Sequence, residues 1–483
     1  MRFLFCCKFY HPSRGGIQEV MRQIAERMVS AGHGVTVATT RLPERDFEVW
    51  NGVRIEGFDI WGNLTEGLHG EIDRYQAFLK NFPADTVMIN NVQQWTFDGS
   101  WEVLDEIRAR KVLIPGGFWG LNEPAYHGYF ERLPPILRKF DRLIFHAERY
   151  RDIDFAKSHG LSAVTIIPNG ASELEFAVPP DPTFRARFGI PPDDIVILTV
   201  GSPIEMKGHT ELAAAFAQIS TRRRGVTLML NGLWPKPLPR RDLPGPQTPP
   251  SPPQSSEQNS PQARAGFVDR ALDRYRGGEA ADFVARIVRS MYWRERRALT
   301  GSLAALVSSL CLVMRQVGAR AHALLQYSRP SLPRSATIDD LVAIANTQQG
   351  KRVLKTYLSR NETVQAFLNA DLFVFASNND YSPLVLFESA AAGLPFLTVP
   401  VGNAEEIVRW TEGGVLCPAD QDSRGYTRVD PMLLAKYMYK LINSPDLRRQ
   451  LGEAGRIAWQ REFNWGSIAK RYEAVLTGDI NKN

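Results

Sequence analysis

Two carboxylates eight residues apart, Asp380 and Glu388, stand in the stretch 371–408, DLFVFASNNDYSPLVLFESAAAGLPFLTVPVGNAEEIV. The apolar run 372–376 reads as a buried strand, and 383–392 reads as a helix with a proline in its first turn. Asp380 therefore falls in the turn between them, and Glu388 follows about two helical turns into the same face. Open α/β folds bind ligands in such turns, above the carboxyl ends of parallel strands. The side chains of Ser377, Asn378, Asn379 and Asp380 and the free N–H groups of the helix start would line that crevice, so both acids would meet one ligand. Strand 396–399 and the helix opening at Gly402-Asn403-Ala404 add a second ligand-facing turn beside the first.

A cation and two glycine turns complete the chemistry-bearing set. Lys207 precedes Gly208 at the start of helix 209–219, directly after strand 195–200. There its ammonium and the positive end of the helix can hold a diphosphate together, or the lysine is simply solvated. Gly15 and Gly16 lie between strand 3–7 and helix 18–30. Glycine there lets a phosphate or sugar approach the backbone N–H groups closely, although an ordinary strand-to-helix turn has the same form. The loop PGGFWGLNEPAYHGYF, residues 115–130, follows another strand and is dense in aromatic rings. Gly117, Phe118 and Trp119 would offer flat faces to an acceptor sugar, or form a packed lid with no ligand. His127 and His146 read as surface or core residues rather than catalytic groups.

The elements that must position these residues alternate regularly. Short apolar strands at 35–39, 86–90, 112–115, 143–146 and 164–167 are separated by helical stretches, and the pattern returns at 195–200, 226–231, 353–358, 372–376, 396–399 and 414–417. That alternation predicts an α/β protein with two doubly wound parallel-sheet domains. A chain of 483 residues has room for two such domains and an insertion. We place the domains at 1–177 and at 178–232 with 346–462, an insertion at 233–345, and a closing helix at 463–478.

Composition restricts the function classes. Hydrophobic content of 44% and charged content of 23% are those of a globular protein. Four cysteines, two of them adjacent, have neither disulfide nor zinc spacing, which suits a reducing, cytoplasmic location. The opening MRFLFCCKFY is too short an apolar run for a secretory leader and reads as a first strand. Within the insertion, 235–265 is proline- and serine-rich with almost no apolar residues and is expected to be disordered. Residues 266–326 have basic helical character. The interval 236–330 holds 15 Lys or Arg against 7 Asp or Glu, so it accounts for the whole net charge of +6. Its apolar segment 299–314 suits either a hairpin packed on the protein or peripheral contact with the inner face of an anionic membrane. The basic residues are not interleaved with a nucleic-acid module, and no nucleic-acid partner is expected.

The 371–408 stretch resembles the nucleotide-sugar signature of the retaining glycosyltransferases of family 4, the group that includes glycogen synthase and sucrose-phosphate synthase. That family has the GT-B fold and two acids separated by seven residues. Asp380 stands where the family usually has Glu, and Glu388 takes the second place. The Gly15-Gly16 pair and the turn Pro168-Asn169-Gly170 also resemble the family, which usually has an arginine where this chain has Ser202. The resemblance covers about 1–232 and 351–477. It implies a UDP- or GDP-sugar donor as substrate rather than cofactor, and a glycan, lipid-linked or small-molecule acceptor. It further implies transfer with retention and no metal. In roles carried over from the family, Asp380 and Lys207 are catalytic. Gly15, Gly16, Ser202, Lys207, Ser382, Pro383, Leu384 and Glu388 hold the donor, with Glu388 on the ribose. Gly117, Phe118 and Trp119 lie on the acceptor side. A nucleotide-sugar epimerase, and a non-catalytic carbohydrate- or membrane-binding relative, are the alternatives on the same scaffold.

Overall fold

Alternating side chains of the first strand set the layers of the first lobe. In β1 (Arg2–Cys6), Phe3 and Phe5 enter one core while Leu4 and Cys6 enter the other, as the two-residue period of a strand requires. The computed structural model describes residues 1–219, 225–232 and 336–479. The stretches 235–265 and 266–326, read above as disordered and basic helical, lie outside the described residues.

The first lobe holds β2 (Gly34–Thr40), β3 (Val49–Trp50), β4 (Val53–Phe58), β5 (Ile60–Asn63), β6 (Gly67–Gly70), β7 (Thr86–Asn90), β8 (Arg110–Ile114), β9 (Arg142–Phe145) and β10 (Val164–Ile166). The second holds β11 (Ile195–Val200), β12 (Val226–Asn231), β13 (Lys351–Thr356), β14 (Leu372–Phe375), β15 (Phe396–Thr398) and β16 (Gly414–Leu416). Their sheets run β10-β9-β8-β7-β1-β2-β4-β3 and β13-β12-β11-β14-β15-β16. Every pairing within these two sheets is parallel except β3 with β4, while β5 and β6 form a separate antiparallel pair. Strand order reverses between β1 and β7 in the first sheet and between β11 and β14 in the second. Such switch points open a crevice at the carboxyl edge, because the chain leaves in opposite directions from adjacent strands.

The doubly wound reading of both lobes is what the structure has. Strand β4 was not anticipated: its burial alternates around Arg54, Glu56 and Gly57, so it lacks the continuous apolar run of a central strand. The helix Ile338–Asn346, within the interval read as insertion, carries a Thr337/Asp340 capping box and packs on the His209–Gln218 helix of the second lobe. The helix Pro445–Ala458 runs on into a π-helical turn, Trp459–Phe463.

The lobes belong to one compact unit and are tied where the chain crosses twice between them. Ala171 N–H donates to Phe463 O, Trp465 N–H donates to Ala171 O, and Trp459 Nε1 donates to the same carbonyl at 3.0 Å. The final helix, Trp465–Thr477, then packs on the first lobe, burying Trp465, Ile468, Tyr472 and Leu476 beside Phe3 and Met21. Among the described residues no helix is long and apolar enough to cross a membrane.

Candidate active site

The second switch point brings Lys207 to Asp380. Because β11 and β14 are neighbours, the loops leaving their carboxyl ends lie side by side. They are stapled together. Met206 O accepts from Asn378 N–H, Asn379 N–H and Ser377 Oγ, and Asn378 Nδ2 donates to Glu205 O and Glu211 Oε1. Gly208 has φ +67, and a Cβ there would lie 1.7 Å from Ala376 O, so only glycine lets the two loops close this far. Lys207 Nζ then meets Asp380 Oδ2 at 2.7 Å, and Tyr381 N–H fixes Oδ1 at 2.9 Å. Both side chains remain partly exposed. Ser202 lies exposed in the same loop.

Across the cleft, two helix starts meet. The helices Gly16–Ser30 and Leu384–Ala391 begin after Gly15 and Pro383, and neither has a side-chain cap. Their first-turn N–H groups are therefore left for a ligand or water. A Cβ placed on Gly16 would lie 3.8 Å from Leu384 Cδ1, so the helix starts approach from opposite lobes. Between them Asn169 Nδ2 donates to Ser382 O at 3.1 Å, while Asn169 Oδ1 and Ser382 Oγ are buried without partners. Two positive helix ends, a hydroxyl and a nearby lysine form a site with the chemistry of an anion cradle.

Glu388 is placed differently from Asp380. It is 6% exposed, and its Oε1 lies 2.6 Å from the Arg360 guanidinium, which also forks onto both carboxylate oxygens of Glu175. Burial holds the Glu388 carboxyl above its ordinary range, with Arg360 opposing that rise. The two acids of the motif are thus each engaged by their own cation. Sequence reasoning missed Arg360. A signal existed: Arg360 opens the helix Arg360–Asn369, where a cation opposes the helix dipole and so calls for a specific anionic partner.

The aromatic loop departs from expectation. Phe118 is 1% exposed and packed between Phe130 and Phe155, so it has no face for a sugar, whereas Trp119 is 49% exposed. Gly117 N–H donates to the buried carboxylate of Asp152 at 2.9 Å. Tyr381, next to Asp380, donates its hydroxyl to Asp152 and accepts from His146 N–H at 3.0 Å. This phenol is a second residue that sequence reasoning missed, and it links the 116–120 loop to the Asp380 turn. His146 is buried with Nδ1 2.9 Å from Ile167 O, and burial lowers its pKa to about 4. A neutral structural imidazole follows.

Another buried carboxylate sits beneath the β7 loop. Asp98 accepts from Tyr129 Oη at 2.6 Å and from Leu64 N–H at 2.9 Å, and burial raises its pKa to about 6 from 3.8. A folded-state pKa above the unfolded value makes stability fall as pH rises between the two values. At about 1.4 kcal/mol per pH unit, wild type should lose about 3 kcal/mol relative to Asp98→Asn between pH 4 and pH 7. Urea midpoints of both proteins across that range measure the difference; parallel curves would place the proton elsewhere.

Among the described residues no group of three or more His, Cys, Asp or Glu could hold a metal ion.

Comparison with known proteins agrees with this architecture. Residues 15–170 match a family model described as a glycosyl transferase 4-like domain, and residues 343–458 match glycosyl transferases group 1. An N-acetyl-alpha-D-glucosaminyl L-malate synthase of Bacillus anthracis is 28% identical over 144 residues, which are 30% of this chain and 34% of that protein. A D-inositol 3-phosphate glycosyltransferase of Thermobispora bispora is 28% identical over 151 residues, 31% of this chain and 33% of its own length. The matched stretch therefore spans about a third of each relative. Sucrose-phosphate synthase from Thermosynechococcus elongatus superposes with TM-score 0.62 at 17% identity, covering 100% of both chains. The Anabaena protein HepE, solved with UDP and glucose, superposes with TM-score 0.60 at 13% identity, covering 99% of this chain and 100% of its own. With a 4-like first lobe, a group 1 second lobe and a cleft between two doubly wound sheets, the chain belongs to the family 4-like glycosyltransferases of GT-B fold.

Proposed function

We propose that the chain transfers a sugar from a UDP- or GDP-sugar to a hydroxyl acceptor, with retention of anomeric configuration and without a bound metal ion. The observation that carries this reading is the meeting of the Gly16 and Leu384 helix starts beside the Lys207–Asp380 pair. As the bond from the anomeric carbon to the diphosphate breaks, negative charge grows on the leaving oxygens. Lys207 and the two sets of N–H groups stabilise it without rearranging. Ser382 Oγ adds a donor. Glu388, fixed by Arg360, accepts from the ribose hydroxyls, and Asp380 contacts the donor sugar. Asp380 is held by Lys207 and Tyr381 N–H, which argues against its acting as a free nucleophile. Retention then requires the acceptor oxygen to attack on the face the diphosphate leaves, its proton passing to a departing phosphate oxygen. HepE, solved with UDP-glucose, and relatives named as glycosyltransferases support this assignment.

A thermal-shift screen against UDP, GDP and their sugars tests the donor. A nucleotide at about a hundred times its Kd should add about 2.7 kcal/mol and raise the melting temperature by roughly 5–10 °C. No shift with any of them would refute the reading. Product analysis should find the sugar joined to an acceptor; a free, altered sugar would contradict transfer.

A further inference from the structure

The turn leaving β7 is built like a binding element that the donor site does not use. It stands at the other switch point, between β1 with its Gly15-Gly16 turn and β8 with its 116–120 loop. Its sequence from residue 90 to 96, NNVQQWT, carries no charge. Four of its side-chain atoms are buried without a hydrogen-bond partner: Asn90 Oδ1, Gln93 Nε2, Gln94 Oε1 and Thr96 Oγ1. Buried polar atoms are ordinarily satisfied, so four between the last residue of β7 and the helix Trp95–Asp98 mark a place where a ligand or its waters belong.

The backbone there is also held in a strained form. Asn91 and Gln93 have φ of +64 and +62, which side-chain-bearing residues adopt at a cost. Asn91 N–H donates to Ile114 O, Val92 N–H to Pro115 O, and Gln93 N–H to Tyr129 Oη, itself anchored on Asp98. The neighbouring loop makes room: a Cβ on Gly116 would lie 2.0 Å from Asn91 Oδ1, and one on Gly120 would lie 2.3 Å from Gln93 Nε2. Trp119, half-exposed, immediately precedes Gly120.

We propose that residues 90–94, with Trp119, read the sugar acceptor, and that the part of the acceptor entering there is a neutral polyol, a sugar or cyclitol ring. This rests on the transfer reading above. The unpartnered atoms include an amide donor and two amide acceptors. Only a group that both donates and accepts, a hydroxyl, satisfies that mixture. A carboxylate or phosphate would put negative charge against Asn90 Oδ1 and Gln94 Oε1, and the turn has no cation to offset it. Trp119 gives the flat apolar face on which a ring's C–H groups pack.

Saturation-transfer NMR on the full chain, with and without UDP, tests this using methyl glycosides of glucose, galactose, mannose and N-acetylglucosamine and myo-inositol, against L-malate and inositol 3-phosphate. Neutral probes should bind. Gln93→Met, which keeps the side-chain shape but removes the donor together with the oxygen that accepts from Gly120 N–H, should weaken the best of them about tenfold while UDP binding persists. Trp119→Ala, which removes a half-exposed ring and its edge contact with Tyr126, should weaken it similarly. Preference for the two anions, binding of no neutral probe, or neutral affinity unchanged within about twofold in both variants at unaltered melting temperature would overturn the proposal. Failure of wild type to bind any nucleotide would instead strike the donor reading, since the polyol arm is also recorded without UDP.

Discussion

Lys207→Met is expected to reduce turnover of the sugar nucleotide by about 100- to 1,000-fold, the effect of removing one donor aimed at charge that grows in the transition state. Nucleotide affinity should fall less, by roughly tenfold, because the helix starts at Gly16 and Leu384 remain. The substitution also leaves Asp380 without its partner at 2.7 Å, so its carboxylate would stand beside the diphosphate uncompensated. Lys207→Arg restores the charge and should recover part of the rate, with less than full recovery because a planar fork replaces a point charge. Steady-state kinetics separate the two effects: the loss belongs mainly in kcat. A loss confined to KM would mean that Lys207 binds substrate and transition state equally.

Arg360→Met should have the largest effect on stability. It strands Glu388, which is 6% exposed, and removes the fork from Glu175. Breaking one partner of a buried ion pair costs about 3–5 kcal/mol; since Arg360 itself is about a third exposed, the lower end applies, about 3 kcal/mol. For a lobe of this size that is a fall of about 6–12 °C in melting temperature. The pH dependence has a definite sign. Burial already raises the Glu388 carboxyl, and loss of the guanidinium raises it further. A raised folded-state pKa makes stability fall as pH rises, so the variant's deficit should grow from pH 5 to pH 8. Glu388→Gln in the Arg360→Met background should return most of the stability. Calorimetric scans at both pH values check this; equal deficits at both would show that Arg360 does not change the protonation of Glu388 over that range.

Much of this architecture could be read from local pattern. The central strands β7, β11 and β12 are continuous apolar runs flanked by turn residues, and their limits coincide with the sequence reading. The Asp380 turn and the helix carrying Glu388 were legible because strand, turn and helix signals follow one another without interruption. The pairing of Lys207 with Asp380 was not, since 173 residues separate them and only the adjacency of β11 and β14 brings them together. The same holds for Arg360 on Glu175, 185 residues away. Tyr381 on Asp152 joins the two lobes and leaves no mark in either local segment. The aromatic loop misled for a related reason. Ring content predicts apolar faces but not which rings the core absorbs, and Phe118 went inside while Trp119 stayed out.

The most direct measurement is the crystal structure of the chain with the nucleotide sugar that the thermal screen selects. Density for the diphosphate should lie between the helix starts at Gly16 and Leu384, within reach of Lys207, with the ribose toward Glu388. Density on the outer face of β13, or a diphosphate contacting neither helix start, would contradict the account.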